Sequence, residues 1–181
     1  PVNSGYDAAL HLKYAKIVSE EWRFPTWEES RENYNPPLFY LISGLLTRWY
    51  SGLTNQDFFS GAKVWQFANI VLALGSMDLW YQIMTRLYPK NRLASGIFLI
   101  LLFSLPVLHK TIVMFSIETW FLFTASLAFW FFIIKFRAKT TMLNLIILSL
   151  ILVVNLLSRL SAVVLLAAMI FGIFGLVYIK K

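Results

Sequence analysis

PLFYLISGLLTRWY, residues 37–50, is the stretch on which the architecture turns. As a helix it rises about 21 Å, short of the roughly 30 Å hydrocarbon core of a bilayer. Leu38, Leu41, Ile42, Leu45, Leu46 and Trp49 share one helical face, while Ser43, Thr47, Arg48 and Ser51 populate the other. That is the pattern of an amphipathic helix lying in the membrane interface rather than crossing it. Pro37 suits a first helical position, and Pro36 keeps the preceding chain extended. A reclining helix leaves residues 1–60 on one side of a membrane, in the same compartment as Glu118. A crossing helix would separate them.

C-terminal to this stretch the chain is dominated by apolar runs at 62–87, 93–108, 117–134, 142–157 and 160–179. Hydrophobic residues make up 59% and charged residues 14% of the 181, too apolar for an ordinary soluble domain. The expected fold is therefore all-α, a polytopic membrane helical bundle of five spans preceded by an outer loop. Arg86, Lys90 and Arg92 fall in one connection, Lys135, Arg137 and Lys139 in another two crossings later, and Lys180 with Lys181 after two more. The positive-inside rule assigns these loops to the cytoplasm and the opposite connections, with Lys110 and Arg159, to the outside. A formal charge of +7 distributed this way serves topology, not nucleic-acid binding. With no cysteine, thiolate metal sites and disulfides are excluded. The chain opens on Pro1, and its polar start carries no signal peptide or apolar anchor, so a further helix is expected upstream.

N-terminal to residue 37 the composition changes. Of the nine acidic residues, Asp7, Glu20, Glu21, Glu28, Glu29, Glu32 and Asp57 lie before residue 60. Residues 6–22 read as a helix whose stripe of Leu10, Tyr14, Ile17 and Val18 can rest on a membrane surface. Asp7, His11 and Tyr14 follow i, i+4, i+7 spacing and share a face, which lets a carboxylate and an imidazole work on one substrate; a surface helix can carry the same trio by chance. Asp78 reads as a structural charge, with Gln82 one turn on and a Lys or Arg as its expected partner. Glu118 begins an otherwise uncharged helix just after His109 and Lys110, where the helix dipole favours an anion, either as a cap or as a functional group. Arg159 interrupts the apolar stretch from Met142 to Ile179 beside Ser158 and Ser161, and either snorkels to headgroups or binds a substrate phosphate.

Tyr6-Asp7-Ala8-Ala9-Leu10-His11-Leu12-Lys13-Tyr14, then Phe24-Pro25, then Glu32-Asn33-Tyr34-Asn35-Pro36-Pro37-Leu38-Phe39-Tyr40, resembles the first outer loop of GT-C fold glycosyltransferases. The branch it is most similar to contains the protein O-mannosyltransferases and aminoarabinose transferases. Glu118 before Trp120-Phe121-Leu122-Phe123 resembles that family's second acidic position, and Ser158-Arg159-Leu160-Ser161 a later helix break. The resemblance covers the front part of such an enzyme. It implies a polyprenyl-phosphate sugar donor, an acceptor hydroxyl on a protein, lipid or glycan, and an inverting transfer at the periplasmic or other extracytoplasmic face. It implies Asp7 and Glu118 as the catalytic acids, with His11, Tyr14, Tyr34, Tyr40, His109, Lys110 and Arg159 around the substrates. Two positions depart from the family pattern: Ala8 follows Asp7 where many members have a second acid, and the second acidic position is Glu rather than Asp. No metal ligand is assigned, and a divalent cation stays an option rather than an expectation. A membrane transporter and a non-catalytic membrane subunit are the competing readings. Against a transporter, the suggestive charges crowd one interface and the helices lack paired midplane interruptions.

Overall fold

Over residues 7–179, the part of the chain that the computed structural model describes, every regular element is helical. Tyr6, Lys180 and Lys181, part of the expectations above, lie outside these residues. Asp7 precedes α1 (Ala8–Glu21), its carbonyl accepting from the His11 amide at 3.0 Å. The helix ends at Trp22, in the left-handed region at φ 53°. Arg23 then ties the following loop together: Nε donates to Glu21 at 2.7 Å, and both terminal nitrogens donate to Glu29 at 2.7 and 2.6 Å. Ser30 caps a 3-10 turn, Arg31–Tyr34, and its hydroxyl donates to the Leu10 carbonyl at 3.1 Å, which stitches the loop onto α1. After Pro36 and Pro37 comes α2 (Leu38–Thr54).

The packing of α1 on α2 reverses a simple amphipathic expectation. The buried face of α2 is Phe39, Tyr40, Ser43, Gly44, Thr47 and Ser51, so its small polar side faces protein. A Cβ on Gly44 would strike the Ala15 carbonyl oxygen and Ser19, which is why glycine stands at this crossing. From the apolar stripe, Leu45 and Trp49 stay exposed, joined by Leu53 one turn on. In α1 the expected surface stripe is corrected: Tyr14, Ile17 and Val18 are buried against protein, not turned toward a membrane. Leu12, Tyr14, Ala15 and Val18 form a core with Phe39, Tyr40, Trp65, Phe115 and Ile117.

The short α3 (Phe58–Gly61) is capped by the Asp57 carboxylate and leads into α4 (Lys63–Leu87). The expected helix at 93–108 is two helices, α5 (Arg92–Phe103) and α6 (Pro106–Ile112). Pro106 explains the break. It has no N–H to continue the ladder and pushes the residue before it out of the helical region, and Leu105 sits at φ −62°, ψ 122°. α7 (Ile117–Trp130) runs on as a π-helical turn, Phe131–Phe136, followed by α8 (Met142–Ser158) and α9 (Ala162–Ile179). A second core of Ala128, Phe131, Leu148, Leu152, Leu165 and Met169 joins α7, α8 and α9.

Among the described residues one helix, Ile117–Phe136, is long and apolar enough to cross a membrane, at 20 residues and mean hydropathy 1.7. Arg92–Phe103 and Met142–Ser158 are apolar but shorter. Asp78 is met by Gln82, whose amide donates to it at 2.7 Å while Trp130 Nε1 donates to the Gln82 oxygen at 2.7 Å; the expected Lys or Arg is not its partner. Arg86 from the end of α4 and Arg137 from just after the π turn line one cavity, so two of the basic clusters share an end of the bundle.

Candidate functional site

At the other end of the bundle, two cavities of about 300 Å³ each lie side by side. The first is polar. Asp7 and His11 reach it from α1, Glu32, Tyr34 and Asn35 from the 3-10 turn, Ile117 and Glu118 from the start of α7, and Arg159, Leu160 and Ser161 from the α8–α9 junction. The second is an apolar groove of Leu102, Leu105, Leu108, Phe121, Leu122 and Ala125, with Thr111, built along the α5–α6 break and one face of α7. Glu118 and Arg159 line both.

The two shared residues are held in place by hydrogen bonds between the helices. Asn69, fully buried on α4, donates from its amide to the carbonyls of Ile112 and Met114 at 3.2 and 2.8 Å, and Gln66 donates to that of Val113 at 2.6 Å. These bonds satisfy carbonyls at the end of α6 and fix the turn before Ser116, so Glu118 emerges in the first turn of α7. Arg159 is the extended residue at φ −151° that ends α8. Its place is set by α7–α8 bonds: Trp120 Nε1 donates to Ser158 Oγ at 2.8 Å, Thr124 Oγ1 to Asn155 Oδ1 at 2.9 Å, and Asn155 Nδ2 to the Thr124 carbonyl at 3.2 Å. The result is an Arg159 Nη1 to Glu118 Oε1 contact of 3.3 Å, with the side chains 33% and 38% exposed.

Behind the polar cavity lies a layer of buried polar groups. His11 Nδ1 is 2.8 Å from the Tyr40 hydroxyl and 3.8 Å from Glu32 Oε2. Glu32 is 8% exposed and accepts from Asn35 Nδ2 at 2.7 Å. Tyr14 stacks on Tyr40 with ring centroids 3.8 Å apart and donates to the Asn35 carbonyl at 3.0 Å. Burial lowers the His11 pKa below its ordinary value; Glu32, Glu118 and Asp7 act in the opposite sense, and Arg159 adds to the lowering. Burial pushes the Tyr14 phenol up to about 12, and burial with the nearby Glu32 charge raises that of Tyr40. Both phenols stay protonated near neutral pH and serve as hydrogen-bonding groups, not bases.

Of the residues singled out in the sequence, Asp7, His11, Tyr34, Glu118 and Arg159 come together around one cavity. Tyr14 and Tyr40 do not line it; both are fully buried and support His11 and Asn35 from behind. His109 and Lys110 are exposed on α6 and line neither cavity. Glu32 and Asn35 received no role from sequence reasoning, although both stand in the Glu32-Asn33-Tyr34-Asn35-Pro36-Pro37 run. The available signal was the sequence itself: an acid and an amide three residues apart just ahead of a Pro-Pro turn. Among the described residues no group of three His, Cys, Asp or Glu is arranged to hold a metal ion. Comparison with protein-family models, curated proteins and solved structures finds no match.

Proposed function

We propose that this chain is the membrane-embedded front part of a glycosyltransferase that moves a sugar from a polyprenyl-phosphate donor to an acceptor hydroxyl at the outer membrane face. The observation that carries this reading is the junction of a carboxylate-lined polar cavity with an apolar groove at a single guanidinium, Arg159. A lipid-phosphate sugar has the same three parts in the same order: an apolar tail, an anion and a polar head. In this reading the prenyl chain occupies the groove, the phosphate pairs with Arg159 and the sugar enters the polar cavity.

The membrane assignment is supported by where apolar surface lies. Phe67, Val71 and Leu74 on α4, Leu143, Ile146 and Leu150 on α8, and Val164 and Phe171 on α9 are exposed, while Asn69, Ser76, Thr119, Thr124, Asn155 and Ser158 are buried between helices. That distribution suits lipid as the outer solvent. The polar cavity sits at the start of α7 and Arg137 just beyond the end of its π turn, about 30 Å apart along the helix axis, one hydrocarbon thickness. With the basic end cytoplasmic, the cavity opens on the outer face.

Chemically, Asp7 takes the proton of the acceptor hydroxyl as that oxygen attacks the anomeric carbon. The bond from that carbon to the phosphate oxygen breaks, its electron pair stays on the phosphate, and Arg159 stabilises the charge that develops there. Attack opposite the leaving group inverts the anomeric centre. His11, steadied by Tyr40 and Glu32, lines the floor on which the sugar or acceptor is oriented. Lys110 contributes nothing to the phosphate in this arrangement. The test is sugar transfer from polyprenyl-phosphate donors by the full-length protein in detergent, where no vesicle is needed and a transporter would give no product. Asp7→Asn should lower the rate about 100-fold or more, and transfer near the wild-type rate would remove Asp7 from the mechanism.

A further inference from the structure

The pair that divides the two cavities has a second use, which rests on the function proposed above. We propose that Glu118 is a product-release residue: it competes for Arg159 with the phosphate and so expels the lipid monophosphate left after sugar transfer.

The reasoning starts from charge. A lipid-phosphate sugar is a phosphodiester with one negative charge. When the carbon–oxygen bond breaks and the electron pair remains on phosphate, the product is a monoester carrying about −1.5 to −2 at neutral pH. A lone arginine at this boundary would hold the product more tightly than the donor and stall the site after each turnover. Glu118 changes that balance, since a carboxylate 3.3 Å from the same guanidinium repels the more highly charged product more than the donor.

The geometry fits a competitor rather than a structural ion pair. A single nitrogen–oxygen contact of 3.3 Å is neither bidentate nor short, and with a third or more of each side chain exposed it is readily exchanged. The guanidinium also lies over the Phe121 ring at 5.7 Å, a resting place it keeps when Glu118 lets go. The backbones that carry the two residues are locked by the Trp120–Ser158 and Thr124–Asn155 bonds at 2.8 and 2.9 Å. The exchange between carboxylate and phosphate therefore takes place by side-chain rotation alone, with no helix movement. Glu118 acts through Arg159 and is a positioning residue in this scheme, not a catalytic one.

The experiment measures binding of octyl phosphate, a monoester, and methyl octyl phosphate, a diester of the same chain, to the full-length protein in nanodiscs without turnover. Glu118→Gln is expected to tighten the monoester about 10-fold more than the diester, and Arg159→Gln to weaken both. Glu118→Ala removes the same charge and must give the same shift, with a thermal melt verifying that each variant is folded. In turnover, Glu118→Gln should lower kcat and the donor KM together as product lingers. Equal tightening of both probes, or none, overturns the inference. A protein that transfers sugar but lacks the shift loses this inference alone; one that shows the shift but transfers no sugar from any lipid-phosphate donor loses the proposed function, and keeps charge competition at Arg159.

Discussion

His11 is constrained from several sides at once. It is 6% exposed, with Tyr40 and Glu32 at Nδ1, while the charges of Asp7 and Glu118 also bear on it. Because burial outweighs the carboxylates and lowers its pKa in the folded protein, the unfolded chain binds a proton more readily than the folded one. The associated stability is present above the ordinary histidine value of about 6.5 and is lost as pH falls through the lower folded value. Thermal melts from pH 7.5 to pH 5 should therefore fall, and His11→Phe should flatten that part of the fall; an unchanged slope would mean that His11 is not the group responsible. Asp7, His11 and Glu118 were readable in the sequence, since an acid at a helix start and a carboxylate–imidazole pair at helical spacing are local patterns. Glu32 was not. Its link to His11 exists only because Ser30 bonds across to Leu10 and folds the 3-10 turn over α1, and no local periodicity encodes that crossing. Tyr14 shares a helical face with Asp7 and His11 in the sequence, but a helical wheel gives a face and not what covers it, and here Tyr40 covers it.

Charged residues bounding apolar runs made most of the helices legible. α4, α7 and α8 begin and end close to the expected positions because lysines, arginines and hydroxyl caps such as Thr141 mark their ends. The run at 93–108 misled because hydrophobicity varies little across Leu105 and Pro106, whereas backbone geometry changes completely there. The interior of α2 was harder still. Beyond Phe39 and Tyr40 its inward face is Ser43, Gly44, Thr47 and Ser51, small residues at a close helix crossing, and only the neighbouring helix reveals that. This leads to an expected outcome: Gly44→Val should destabilise the α1–α2 pair by about 1–3 kcal/mol through overpacking. Hydrogen exchange should report the loss locally, with faster exchange in α1 than in α9. Equal protection in the variant and the wild type would show that the crossing tolerates a side chain.

At the scale of the whole molecule, the acidic end and the basic end lie at opposite termini of α7, which the sidedness proposed here turns into an outside and an inside. The absence of cysteine makes this directly measurable. Glu28→Cys, Lys110→Cys and Lys139→Cys each alter an exposed position. An impermeant maleimide added to intact cells should label the first two and leave the third, and labelling of positions 28 and 110 from different sides would separate α1 from the start of α7. The break at Pro106 has a further effect. It bends the wall of the apolar groove so that Leu102, Leu105 and Leu108 border it from both sides of the bend. In the proposed reading this makes a sideways port, through which a donor dissolved among lipids reaches Arg159 without passing through water. The concentration such an enzyme responds to is then a two-dimensional one, donor molecules per lipid, and saturation follows mole fraction in the bilayer instead of molarity in solution.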